Sequence, residues 1–411
     1  MLEIALGLLL FTALVTGLAA AVSAARALLS PRHEVVVTVN DRAPIRTRAG
    51  EKLLGVLADA GVQLPSACGG TGTCGLCRVT VTEGASPALP TELARISRRD
   101  AAAGVRLACL TPVRGDLRVR VPLEVLGART RVATVVSART RAGLIKEVVL
   151  ALPAGETLDF RAGAFVQVTR PPGRVCFRDF DVDAAHRGPW DALDLWRYES
   201  TCATPTVRAY SLANPPADAR RIVLLVRLAL PPMTDADEIP PGVVSSFLFA
   251  VRPGDAVVVS GPYGEFFAAE GGPEREMVLL GGGVGMAPLH AIVLDQLERR
   301  RTKRPITFWY GARSRRDLLY ADELDRLAAT HDRFRWHPVL SEPAPDDAWT
   351  GPTGFVHRVA YEAFLRHHPA PEDCEYYLCG PPLMIEAVRA MLDGLGVDPG
   401  SIRFDDFGGS R

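Results

Sequence analysis

The feature that most limits what this chain can fold into is a glycine-rich run, Ser66-Ala67-Cys68-Gly69-Gly70-Thr71-Gly72-Thr73-Cys74-Gly75-Leu76-Cys77, followed by Cys109, 32 positions after its last cysteine. Three thiols in a C-x5-C-x2-C spacing and one from a distance match the ligand set of a 2Fe–2S cluster, four thiolates with three delivered by one loop. The glycines fit that demand, because wrapping a short loop round a cluster needs positive φ and close backbone approach. Cys68, Cys74, Cys77 and Cys109 are the candidate metal ligands. Zinc is the competing reading, yet structural zinc sites usually pair two C-x2-C knuckles, and only Cys74 and Cys77 form one. Disulfides are a weaker alternative, since the rest of the chain reads as cytoplasmic.

At 411 residues the chain suits roughly two to four domains. Its 47 basic and 47 acidic side chains balance, which gives no support to a nucleic-acid partner. Eight cysteines are too sparse for a secreted disulfide scaffold. Cys176, Cys202 and Cys374 read as ordinary small or buried residues.

Ile4 to Val22 runs 19 residues without a charge, close to the roughly 20 apolar residues of a membrane-spanning helix. A signal peptide competes, with Val22-Ser23-Ala24 as its cleavage site. Against it, the start of the chain carries Glu3 and no basic residue, while Arg26, Arg32 and Arg42 follow the run. The positive-inside bias then leaves an uncleaved anchor over 1–30, with everything after it cytoplasmic.

Three domains are predicted beyond the anchor. In 31–128, a β-branched run from His33 ends at a turn, Asn40-Asp41, and Ile45 starts the return strand. Glu51–Ala60 has helical apolar spacing and stops at Gly61. Strands follow at Cys77–Thr82 and Leu117–Val121, and Pro122–Ala128 reads as a linker. In 129–272, short strands punctuated by Gly and Pro predict an antiparallel β-barrel. It carries Arg208-Ala209-Tyr210-Ser211 and Pro241-Gly242-Val243-Val244-Ser245-Ser246. An Arg clamps phosphate, a Tyr ring covers a flat cofactor face, a small hydroxyl sits beside a reactive ring edge, and a helix start receives a pyrophosphate. An aromatic and acidic insertion, 176–199, reads equally as a docking surface for a membrane partner or as a packing excursion.

From 273 to 411, strands alternate with helices in α/β fashion. Glu276–Leu280 runs into Gly281-Gly282-Gly283-Val284-Gly285 and then a helix from Leu289 to Arg299, the arrangement in which a dinucleotide pyrophosphate approaches bare amides. Arg313, Arg315 and Arg316 follow the next strand, at the edge where an adenosine ribose would lie; they could suggest a 2′-phosphate and hence NADP, whereas the resemblance given below is to an NADH user. Cys379-Gly380-Pro381-Pro382 closes a later strand, and Phe404-Asp405-Asp406-Phe407-Gly408-Gly409 ends the chain.

Taken in this order, the modules resemble the family of F subunits of Na+-translocating NADH:quinone oxidoreductases, flavoproteins related to ferredoxin–NAD(P) reductases. The resemblance covers essentially the whole chain. It implies a β-grasp ferredoxin domain, an FAD domain and an NADH domain, with a hydride passing from NADH to FAD and single electrons then reaching the cluster. Arg208, Tyr210, Ser211 and Gly242 through Ser246 would bind FAD. Gly281, Gly282, Gly283, Gly285, Gly380 and Pro381 would hold NADH. Cys379 and Ser211 would flank hydride transfer, and Phe407 would cover the flavin ring until nicotinamide displaces it. Partner subunits of a bacterial inner-membrane complex would carry the electrons to quinone. The reductase component of a multicomponent aromatic oxygenase, which joins the same modules, is the alternative; the anchor and the 176–199 insertion argue against it.

Overall fold

The computed structural model describes residues 2–29, 33–66, 68–231, 239–269 and 275–405. Contacts divide the chain into two units, one of Met1–Leu64 with Gly70–Leu126, the other of Pro65–Gly69 with Gly127–Arg411.

In the first unit, α1 (Leu2–Leu29) exposes Leu6, Leu8, Leu9, Leu10, Phe11 and Leu14. Among the described residues no helix is long and apolar enough to cross a membrane. The globular part is a five-stranded mixed sheet, β1 (Glu34–Val39), β2 (Ile45–Arg48), β3 (Arg78–Glu83), β4 (Val105–Leu107) and β5 (Leu117–Arg120), in the order β2-β1-β5-β3-β4. Asn40 and Asp41 adopt φ of 47° and 57°, the left-handed pair that a tight hairpin requires and that these side chains tolerate. The Asn40 amide also exchanges two hydrogen bonds with the Val121 backbone, at 2.7 and 2.8 Å. Alternation along β1 buries Val35, Val37 and Val39 against Leu53, Val56 and Leu57 of α2 (Leu53–Asp59). This helix ends at Gly61, with φ of 82°. The result is the β-grasp arrangement, with the cysteine loop leading into β3. The expected linker contains a helical turn, Leu123–Leu126.

In the second unit, β6 (Arg129–Ala142), β7 (Ile145–Ala151), β8 (Phe165–Arg170), β9 (Gly173–Cys176), β10 (Glu199–Cys202), β11 (Thr206–Ser211), β12 (Arg221–Arg227) and β13 (Ala256–Tyr263) precede the α/β part. Six of them form an antiparallel sheet ordered β11-β8-β13-β6-β7-β12. The predicted barrel is not closed: the edge strands β11 and β12 share one bridge, Leu212 to Leu224. Past Ser211 the ladder gives way to the Asn214 amide, which accepts from the Val223 amide and donates to the carbonyls of Asp218 and Arg221. A helix, α3 (Val243–Ala250), packs on this sheet through Val244, Leu248 and Phe249.

Part of the 176–199 insertion packs into the core. Phe177 and Trp190 are fully buried with Phe249 of α3, and the Trp190 indole donates to the Gly143 carbonyl at 2.7 Å. Lys146, also fully buried, donates to the carbonyls of Asp181 and Phe249 at 2.9 and 2.8 Å.

The remaining strands are β14 (Met277–Gly282), β15 (Ile306–Ala312), β16 (Phe334–Leu340), β17 (Glu375–Cys379) and β18 (Ile402–Asp405). They form a parallel sheet ordered β16-β15-β14-β17-β18. Helices α4 (Met286–Leu294), α5 (Ala321–Thr330), α6 (Val356–Ala363) and α7 (Pro382–Gly394) complete this nucleotide-binding type of fold. The helix predicted to reach Arg299 loosens at Asp295 into a π-helical turn, where the buried Asp295 carboxylate pairs with Arg299 and Arg300.

Candidate functional site

In the first unit, Cys77 and Cys109 are buried and their Sγ atoms lie 3.3 Å apart. That is beyond the roughly 2.05 Å of a disulfide and close enough for both to bind one metal centre. Cys74 is half-buried on the same loop. A Cβ on Gly72, at φ of 85°, would meet the Leu110 side chain at 2.8 Å, so the loop's tight course depends on glycine there. No disulfide joins any of the eight cysteines. Cys68 lies in Pro65–Gly69, which belongs to the second unit. There the Ser66 amide donates to Gln167 Oε1 at 3.1 Å, and a Cβ on Gly69 would come within 2.7 Å of the Arg208 guanidinium.

Within the second unit, the flavin-type motif occupies β11. Arg208 is half-buried and donates to the Val207 carbonyl at 2.7 Å. Desolvation pushes the Tyr210 phenol well above its ordinary value, against the opposing pull of Arg208. Ser211 is buried, and its hydroxyl donates to Asp405 Oδ2 at 3.4 Å. The end of β18 thus reaches the motif. Phe407, two residues further on, lies outside the described residues.

Gly242 precedes α3, and the Ser245 and Ser246 hydroxyls both donate to its carbonyl, at 3.2 and 2.7 Å. With those hydroxyl protons used internally, the donors left for an anion are the backbone amides of Val243, Val244 and Ser245, which have no intrahelical acceptor.

The glycine-rich turn and the Cys379-Gly380-Pro381 turn converge at the carboxyl ends of adjacent strands β14 and β17, with Gly281 opposite Cys379. A Cβ on Gly285 would sit 2.0 Å from the Cys379 carbonyl oxygen, and one on Gly380 would sit 3.0 Å from the Gly282 nitrogen. Side chains at these positions would force the two turns apart. Tyr310 braces the loop by donating to the Gly283 carbonyl at 2.9 Å. In open α/β sheets a dinucleotide binds outside the carboxyl ends of the strands at such a reversal of strand order. Cys379 is fully buried, beside Asp405 in the β17–β18 register.

Beyond β15 and β16, Arg313 pairs with Glu342 at 2.7 Å and Arg316 with Asp346 at 2.5 Å, while the Arg315 amide donates to Asp347. Of the three arginines that could suggest a 2′-phosphate, Arg313 and Arg316 are paired with carboxylates, while the Arg315 guanidinium donates to the Asp347 carbonyl.

One residue near the site has no local sequence signal. His290 of α4 is 5% exposed, with Nδ1 2.9 Å from the Ala213 carbonyl and Nε2 3.0 Å from Glu323. The ring thereby links α4 to the segment after β11 and to Glu323. Its hydrogen bond holds the Glu323 carboxyl below the usual range. An internal His in an apolar helix reads from sequence as core.

Glu276, His368 and Cys374 also approach one another, before the amino ends of β14 and β17. The Ala370 amide donates to His368 Nδ1, which leaves Nε2 to donate to Glu276 at 3.2 Å, and Thr307 donates to the other Glu276 oxygen. This is a satisfied hydrogen-bond network: a metal on Nε2 would require Nδ1 to give up its acceptor role.

Three family models match consecutive parts of the chain: a 2Fe–2S iron–sulfur cluster binding domain over 37–114, an oxidoreductase FAD-binding domain over 197–267 and an oxidoreductase NAD-binding domain over 279–390. The F subunit of the Na(+)-translocating NADH-quinone reductase of Methylococcus capsulatus is 49% identical over 409 residues, covering 100% of both chains. The protein of that name in Yersinia enterocolitica is 48% identical, covering 99% of this chain and 100% of its own. Among solved structures, the Amycolatopsis cytochrome P450 reductase GcoB superposes with a TM-score of 0.63 at 26% identity, covering 91% of this chain and 98% of that one. The ferredoxin reductase in carbazole 1,9a-dioxygenase gives 0.58 at 25% identity, with the same coverage.

Proposed function

The chain belongs to the family of F subunits of Na(+)-translocating NADH-quinone reductases, and on that premise we propose which of its residues carry the electron-input reaction and how the chain is held at the membrane. It is an NADH-oxidising flavoprotein with a 2Fe–2S domain. Full-length identity near one half favours this reading over the aromatic-oxygenase reductase, whose likeness is one of modules.

FAD supplies the conversion of a two-electron hydride into single electrons, and the 2Fe–2S cluster carries those one at a time. Cys68, Cys74, Cys77 and Cys109 hold the cluster; the 3.3 Å approach of Cys77 and Cys109 and the spacing of the other two support this. Arg208 clamps the flavin phosphate, Tyr210 covers the ring, and Ser211, oriented by Asp405, faces the reacting edge. The amides of Gly242 through Ser246 receive the FAD pyrophosphate. Gly281, Gly282, Gly283, Gly285, Gly380 and Pro381 form the NADH cradle, with Cys379 beside the nicotinamide and Phe407 as the displaceable cover. The observation that carries the assignment is the convergence of the glycine-rich turn on Cys379, with Asp405 joining the next strand to Ser211.

The domains run over 31–128, 129–272 and 273–411, with 1–30 as a single-pass anchor in the bacterial inner membrane and the catalytic domains cytoplasmic. The uncharged run of residues 4–22 and the exposed leucines of α1 support the anchor. Electrons leave to partner membrane subunits and through them to quinone. The test is Na+-stimulated NADH:quinone reductase activity in membranes of a deletion strain carrying either the intact gene or Cys109→Ser. The intact gene restores the activity; Cys109→Ser keeps NADH-driven flavin reduction but loses the cluster's EPR signal and quinone reduction. Normal quinone reduction by Cys109→Ser would refute the assignment.

A further inference from the structure

We propose that Arg170, at the end of β8, is a positioning residue for FAD: a buried cation beneath the first turn of α3 whose counter-charge is the cofactor's pyrophosphate. The proposal rests on the assignment of Gly242–Ser246 to that pyrophosphate.

Arg170 is 1% exposed. Its guanidinium makes four hydrogen bonds, all to neutral oxygens. Nη1 donates to Ser200 Oγ at 2.9 Å and to the Val243 carbonyl at 2.6 Å, and Nη2 donates to the carbonyls of Gly173 at 3.0 Å and Ser200 at 2.7 Å. Among the described residues no carboxylate pairs with it, and its ionisable neighbour is Cys202, whose thiol donates to the Pro171 carbonyl. A buried ion without a counter-ion is destabilising, and folded proteins pair such charges or avoid them. Desolvation accordingly draws the Arg170 pKa down, yet a guanidinium stays protonated in proteins. The chain therefore holds a full positive charge that nothing described within it neutralises.

The place of that charge indicates what does. Val243 is the first residue of α3, so the 2.6 Å bond fixes the first turn, whose amides have no intrahelical partners. A helix amino end already carries partial positive charge and favours anions. Adding a whole unit of charge beside the first turn, in a medium that screens poorly, strengthens the field at the helix start. The FAD pyrophosphate is the anion that the motif brings there. Arg208 would touch it, whereas Arg170 acts through the helix turn.

The experiment titrates FAD into the full-length chain stripped of flavin, following flavin fluorescence at low and high salt, with Arg170→Lys, Arg170→Gln, Ser200→Asp and Gly242→Ala. One buried charge acting on a pyrophosphate at an effective dielectric near 20 is worth on the order of tenfold to a hundredfold in affinity. Arg170→Gln, which keeps donors and loses charge, is expected to weaken FAD by that factor and to flatten its salt dependence. Arg170→Lys keeps the charge and stays near the unaltered affinity. Ser200→Asp leaves the guanidinium in place but supplies a local carboxylate, and weakens FAD as Arg170→Gln does, while the flavin-free protein melts no lower. Equal losses in the Lys and Gln variants, or unchanged affinity in Ser200→Asp, would overturn the proposal and reduce Arg170 to a hydrogen-bonding strut. Gly242→Ala, whose Cβ would lie 2.6 Å from Ser245 Oγ, tests the underlying assignment separately. Unaltered FAD binding there would discard the pyrophosphate segment itself.

Discussion

Gly285→Ala tests whether the contact between the glycine-rich turn and the Cys379 turn positions the nicotinamide. The added Cβ would lie 2.0 Å from the Cys379 carbonyl oxygen, 2.3 Å from its carbon and 2.7 Å from the Gly380 nitrogen, all backbone atoms that no rotamer change can move aside. Carbon–oxygen contact begins near about 3.3 Å, so the glycine-rich turn and the Cys379-Gly380 turn must part by roughly 1 Å. Displacement on that scale costs about a hundredfold where reacting atoms must be aligned, and the overpacking itself costs about 1–3 kcal/mol of stability. The assay is anaerobic stopped-flow reduction of the bound flavin by NADH, with FAD content, the cluster's EPR signal and reduction by dithionite as controls. We expect the NADH-driven rate to fall about a hundredfold while the controls hold. Gly394→Ala, whose Cβ meets nothing within 4 Å, serves as the neutral comparison. A Gly285→Ala rate within about threefold of the unaltered chain, far from the hundredfold of misalignment, would show that the two turns do not jointly position the nicotinamide.

Two further outcomes are expected. Removing the acids that tie up Arg313 and Arg316, in Glu342→Gln with Asp346→Asn, frees both guanidinia for a 2′-phosphate. Because exposed pairs are worth roughly 0.2–1 kcal/mol each, the NADPH-to-NADH ratio of kcat/KM rises about two- to thirtyfold; an unchanged ratio would remove these pairs from nucleotide selection. Burial draws the Lys146 ammonium from 10.5 down to about 8, so between those values the unfolded chain binds more protons and stability rises with pH. Flavin-release temperature of the unaltered chain should therefore gain on Lys146→Met across that window, by up to about 3 kcal/mol equivalent, and parallel curves would refute the shift.

Much of the fold is written locally. Asn40-Asp41 specifies a turn wherever it stands between β-branched runs, and Gly72, Gly283 and Gly285 mark places where a Cβ has no room or φ must be positive. The cysteine spacing identifies the loop without reference to anything around it. What escaped sequence reading is the part built by distant partners. His290 lies in an apolar helix and gains its role from the Ala213 carbonyl, 77 positions away. β18 is four residues long, too short for a periodic signal, and becomes a strand by pairing with β17 and delivering Asp405 to Ser211. Barrel closure failed as an expectation because strand periodicity says nothing about whether two edges meet, and here Asn214 takes up the backbone groups that a ladder would have used.

The 176–199 insertion divides its residues between two kinds of selection. Phe177, Phe180 and Trp190 share a core with Phe249 of α3, and Lys146 ties both together, so these positions must change in concert or not at all. Arg178 and Leu193 face outward. They are free to drift, or to be recruited by a changing neighbour, without disturbing the flavin domain. Within related chains the insertion should therefore combine an invariant interior with a rapidly diversifying exterior, a small surface on which partner choice can evolve independently of catalysis.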